Sequence, residues 1–144
     1  MLEVLDIVLI LLAAGLLLAV LVRPKPAPGS ERLETALAEV RRREGHFPSL
    51  RKTLRQVKVY GRALTKLPLL IAETERFLAK PGLDGPTKTR LLARREELWR
   101  TFETGVAFLE RLGAEMVLDA PHEPPSLVEF PTLRLELRDV LHRA

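Results

Sequence analysis

Hydrophobic positions follow two different patterns along these 144 residues. From Ile7 to Val22 they are continuous: sixteen residues carry no charge, seven of them are Leu, and Arg23-Pro24-Lys25-Pro26 follows directly. From Leu33 onward they recur at intervals of three and four among charged residues. The first pattern predicts a helix that is apolar on every side, and the second predicts helices with one apolar face.

A helix over the continuous run is about 24 Å long, slightly short of the roughly 30 Å of bilayer hydrocarbon, so Leu2, Val4 and Leu5 are needed to complete a span. Glu3 and Asp6 then lie at the outer interface. A cleaved signal peptide would carry positive charge ahead of the apolar run and a small-residue site behind it. This chain has acids ahead and Arg23 and Lys25 behind. We therefore expect a single-pass, uncleaved transmembrane anchor over residues 1–22. Cytoplasmic retention of the positive flank places the N-terminus outside and the rest of the chain on the cytoplasmic side of the cell membrane. Gly15 and Ala19 form a small-xxx-small pair, which in an Ala- and Leu-rich helix reads as incidental. Residues 23–29 alternate Pro with other residues and make a semi-rigid spacer of about 20 Å in polyproline form.

Residues 30–119 read as a cytoplasmic helical bundle. Ser30 is the expected N-cap of its first helix, with Leu33, Ala36, Leu37 and Val40 on one face, Arg41, Arg42 and Arg43 at the end favoured by the dipole, and Gly45 as the stop. An antiparallel hairpin follows, because steps of four and three persist on both sides of the turn 80–86. One seam is Leu50, Leu54, Val57, Gly61, Leu64, Pro68, Ile71, Glu75 and Leu78. The facing seam is Leu91, Arg95, Leu98, Phe102, Gly105, Leu109, Leu112 and Met116. A second row, Ala63, Leu67, Leu70, Thr74 and Phe77, is more than one partner helix can cover and calls for a bundle. Pro68 should kink the helix or divide it into 48–66 and 68–79. Glu75 and Arg95 would pair across the seam, and Trp99 would be buried beside it. The expected fold is all-α, an N-terminal transmembrane helix followed by a small antiparallel helical-hairpin or bundle domain.

Residues 120–144 form a Pro-containing linker and a tail. Leu133, Leu135 and Leu137 alternate as in a strand, whereas Leu133, Leu137, Val140 and Leu141 repeat as in a helix, and the Leu, Arg and Glu content favours the helix. Its apolar residues Leu127, Val128, Phe130, Leu133, Leu135 and Leu137 are left without a partner in this scheme and are the expected docking surface for another protein or a second copy.

The formal net charge is +4, and its distribution matters more than its size: residues 41–66 hold nine Lys or Arg and one acid, Glu44. Arg51, Arg55, Lys58 and Arg62 recur along one side of a helix. With Arg41, Arg42 and Arg43 they are the candidate contacts to an anionic surface such as lipid headgroups. The competing use is internal. Glu103 falls opposite residue 63 and Glu110 opposite 56, so they would pair with Arg62 and with Arg55 or Lys58, leaving Arg41, Arg42 and Arg43 uncompensated. Nucleic acid is disfavoured, since Phe47 and Tyr60 are the only aromatics near the stripe and provide no stacking platform.

The absence of Cys excludes disulfides and thiolate chemistry. His46, His122 and His142 are far apart with no metal-ligand spacing, and there is no phosphate loop or nucleophile elbow. No catalytic, cofactor or metal constellation is expected. The sequence reading is a non-catalytic, membrane-anchored helical scaffold or accessory subunit of a membrane-associated complex, the alternative being a membrane-surface module that reads anionic lipid.

Overall fold

The computed structural model describes residues 4–21, 29–118 and 125–143, and within them all side chains except those of residues 5 and 18–21. The expectations for Arg23 and Lys25, most of the linkers and His122 lie outside the described residues. Among the described residues, six α-helices and two short 3-10 turns make up the regular structure: α1 (Val4–Leu21), α2 (Ser30–Arg43), turns at Glu44–His46 and Pro48–Leu50, α3 (Arg51–Leu64), α4 (Lys66–Leu78), α5 (Gly85–Leu118) and α6 (Phe130–His142). Among the described residues there is no strand. The all-α expectation holds, and the tail is a helix.

Helices α2 to α6 pack together, with α5 as the axis. Its 34 residues extend about 51 Å, long enough for different helices to cover different stretches of it. Near its start α4 folds back on it. Further along, Gly29 lies against Phe102 and Glu39 against Gly113, so α2 runs parallel to α5. Helix α6 runs antiparallel to α5, since Glu129 meets Arg111 near one end and Arg143 meets Glu97 near the other.

The seam read from the sequence is the seam of the fold. Leu54, Val57, Gly61, Leu64, Pro68 and Ile71 are buried on α3 and α4, as are Leu98, Phe102, Gly105, Leu109, Leu112 and Met116 on α5. Leu33, Ala36, Leu37 and Val40 of α2 are buried as expected. Full burial of a Leu or Phe contributes about 1.5–3 kcal/mol, so these stripes specify how the five helices assemble. Two glycines permit close approach. A Cβ at Gly105 would lie 2.7 Å from both Leu64 Cδ2 and the Tyr60 hydroxyl, and one at Gly61 would collide with Leu37.

Four local expectations need correction. The hairpin arm breaks at Thr65 instead of at Pro68, because the proline ring crowds the carbonyl of residue i−4, which is Leu64, and supplies no N–H to it. Thr65 N–H donates instead to Arg62 O at 3.2 Å, closing α3 with a tight turn. The cap of α2 is Gly29, not Ser30: Gly29 has φ 86° with no side-chain cap bond, and its carbonyl accepts Leu33 N–H at 3.1 Å. Glu75 is exposed and forms no ion pair with Arg95 among the described residues, and Phe77 is 43% exposed. Both lie near the apex of the hairpin, where α4 has α5 as its neighbour; of the second row Leu67 and Thr74 are buried, and Phe77 is the member left exposed. Trp99 is half-buried, edge-on to Phe102 at 5.9 Å.

Helix α1 is built differently. Each of its described large apolar side chains is exposed, from 47% at Ile7 to 80% at Val4. No helix is long and apolar enough to cross a membrane when only described residues are counted, and in α1 the described side chains stop at Leu17.

Candidate binding groove and basic face

The C-terminal tail is not free. Phe130, Leu133 and Leu137 belong to the common core, at 3%, 7% and 3% exposure, and Leu127 packs against that core. Of the six residues expected to dock onto a partner, only Val128 and Leu135 are exposed. The reason is the helical repeat itself. Phe130, Leu133, Leu137 and Val140 form a single stripe, and α3 and α5 offer it an apolar surface. Three aromatic rings fix the junction: Phe108 stacks on Phe130 at 5.6 Å and 10°, while Tyr60 meets Phe130 edge-on at 5.6 Å and Phe108 edge-on at 6.2 Å. Burial pushes the Tyr60 hydroxyl above its usual range, and the nearby Glu136 carboxylate adds to the shift.

The internal charge pairing also differs from expectation. Glu103 and Glu110 are both taken by Arg32 of α2, at 2.7 Å for Glu103 and in direct contact for Glu110. These hydrogen bonds raise the guanidinium pKa further, Glu110 contributing most. The seven-residue repeat of acids on α5 therefore selects α2, not the basic stripe. Gly105 faces Leu64 and Tyr60 across the hairpin, but a hairpin seam does not determine which neighbour a side chain on its flank will face. Lys58 pairs with Glu44 at 2.7 Å, and Arg42 and Arg43 share Glu39 at 3.0 and 3.8 Å, so these two arginines are compensated after all. Arg41, Arg51, Arg55 and Arg62 are exposed, and among the described residues they form no ion pair.

Docking of α6 beside α3 creates a groove of about 620 Å³. Its floor is Val59, Tyr60 and Ala63 from α3 with Leu137 and Leu141 from α6. Along its sides stand Arg55 and Lys66 on one wall and Arg134, Arg138 and His142 on the other. None of the described lining residues is acidic. Arg134 is held in place by Gln56 Oε1 at 3.4 Å and lies over the Phe130 ring at 5.6 Å. The stripe member Arg55 also borders a second, smaller hollow with Arg51 and Lys58. The structure thus brings Arg51, Arg55 and Lys58 together and keeps Arg41, Arg42 and Arg43 on another helix.

Sequence reasoning missed Val59, Lys66, Arg134, Arg138 and His142 as members of one site. A signal was present: Arg134 with Arg138, and Leu137 with Leu141, are neighbours at i, i+4 on α6, as are Arg55 with Val59 and Val59 with Ala63 on α3. Such an arrangement suits recognition of an apolar ligand that carries negative charge. Among the described residues no group of His, Asp or Glu is placed to hold a metal ion. Comparison of the chain with known protein families, with curated proteins and with solved structures found no match.

Proposed function

We propose that this chain is a single-pass, membrane-anchored helical scaffold or accessory subunit of a membrane-associated complex, non-catalytic, with its N-terminus outside and its bundle on the cytoplasmic face. The observation that carries this reading is the exposure of α1 on all sides. A helix that is hydrophobic all round is stable only when something apolar surrounds it, and the described large apolar side chains of α1 are all exposed. Lipid supplies one, and Arg23 and Lys25 supply the stop. The bundle then binds through its helical faces, of which the α3–α6 groove is the most developed.

Orientation and recruitment are both testable. The chain has no Cys, so a single Ser49→Cys, at an exposed turn, can be labelled with a membrane-impermeant thiol reagent. We expect labelling in inverted vesicles and none in intact cells, and the reverse would overturn the assigned topology. The tagged chain, extracted in mild detergent, should retain a stoichiometric protein. Recovery of the chain alone would remove the scaffold reading.

A second reading is favoured by the exposed arginines of α3. Arg51, Arg55 and Arg62 beside the groove would let the bundle rest on anionic headgroups, each contributing about 1 kcal/mol. A fragment from residue 29 onward that ignores anionic vesicles at low salt would eliminate it.

A further inference from the structure

We propose that the α3–α6 groove is the docking site for one amphipathic helix of a partner protein, whose apolar stripe is flanked along both edges by Asp or Glu. This deepens the scaffold reading and rests on it. Three features of the groove select that occupant.

The first is its floor. Tyr60 and Leu137 are buried, while Val59 stands 60% exposed beside Ala63 and the half-buried Leu141. An apolar strip open to solvent between two helices is what a third helix covers when it lies in the groove. The second feature is length. The α3–α4 wall runs from Arg55 to Lys66, about 17 Å at 1.5 Å per residue, which matches roughly three turns of helix.

The third feature, the placement of the cations, decides between ligands. A single-chain anionic amphiphile has one charged head and would call for cations gathered at one end. Here Arg55 and Lys66 stand at opposite ends of one wall, and Arg134 and Arg138 stand a turn apart on the other. Positive charge therefore flanks the floor on both sides and is not gathered at one end. A planar anionic surface meets the exposed arginines with charged headgroups but offers no apolar stripe to the strip between them. A helix with apolar residues at i, i+3, i+4 and i+7 and acids beside them satisfies floor and walls together. The covered area is small, so binding is transient, roughly micromolar, and weakened by salt.

The probe is a display library of peptides about sixteen residues long, or about 24 Å as helices, selected against the full-length chain in neutral detergent micelles. Two variants serve as counter-targets: Val59→Asp and the double change Arg134→Glu with Arg138→Glu. All three positions are exposed, so helicity measured by circular dichroism should match the parent. We expect enriched peptides to carry a three-four apolar repeat flanked by acids, to bind either variant at least about tenfold more weakly, and to lose affinity with added salt. An enriched set without flanking acids, a set that binds both variants as well as the parent, or no enrichment at all overturns the proposal. Co-purification separates this failure from that of the scaffold reading. If selection fails while the full-length chain still retains a stoichiometric protein, the scaffold stands and the acidic helix does not. If the chain is recovered alone, the scaffold reading falls as well.

Discussion

Helices α1 and α6 are both leucine-rich, and from sequence both look for an apolar partner beyond their neighbours in the chain, yet only α6 finds one among the described residues. Helix α6 confines its apolar residues to one stripe and has been absorbed: Phe130, Leu133, Leu137 and Val140 sit in the bundle core. Helix α1 spreads its apolar residues around the whole circumference, and its described side chains remain exposed. A one-faced helix is completed by a groove between two others, whereas an all-round apolar helix needs an apolar medium. Amphipathicity, more than hydrophobicity, separates a helix that joins the bundle from one that does not.

The sharpest way to break this contrast is to undo the docking of α6. Phe130→Ala removes a ring that stacks on Phe108 and meets Tyr60, and should cost about 3–5 kcal/mol in denaturant unfolding. Val128→Ala, at an exposed position of the same tail, should change stability by less than about 0.5 kcal/mol. The converse perturbation acts on α1. Leu12→Arg, near the middle of the apolar run, should oppose membrane insertion by about 2.5–3.5 kcal/mol, seen as a larger soluble fraction, with the unfolding midpoint of the bundle unchanged.

Within the bundle, Gly61→Ala introduces a Cβ into the Leu37 side chain and should destabilise by about 1–3 kcal/mol. A smaller effect follows from the only tyrosine. In the fold Tyr60 keeps its proton above the pH at which an unfolded tyrosine loses it, about 10. The unfolded state then binds fewer protons, so stability falls as pH rises above about 10, by at most about 1.4 kcal/mol per pH unit. Tyr60→Phe should flatten that decline, and phenolate absorbance should show Tyr60 resisting ionisation until the chain unfolds. A modest, salt-dependent change is expected for Arg32→Ala. Its exposed pairs with Glu103 and Glu110 should be worth no more than about 1 kcal/mol each, a loss that vanishes in high salt.

The packing seam was legible because a four-three spacing determines which residues share a face, and Leu54, Val57, Leu64, Phe102, Leu109 and Leu112 needed nothing further. What that spacing leaves open is the azimuth of a third helix. Glu103 and Glu110 lie at the flank of the seam, and they face Arg32 because α2 packs along α5 at that flank. The groove was invisible for the same reason. Arg55 and Arg134 are seventy-nine positions apart in the chain, and only the docking of Phe130 against Tyr60 and Phe108 brings their helices side by side. The helical repeat of the tail could be read, but the availability of a surface to receive it depends on the side-by-side arrangement of α3 and α5.

Whether α1 holds this bundle in a bilayer can be read from alkaline carbonate extraction of native membranes. If it does, the full-length chain stays with the membrane pellet after extraction while the Leu12→Arg variant shifts toward the supernatant. Quantitative release of the parent chain into the supernatant would contradict it and would require a protein surface, instead of lipid, around α1.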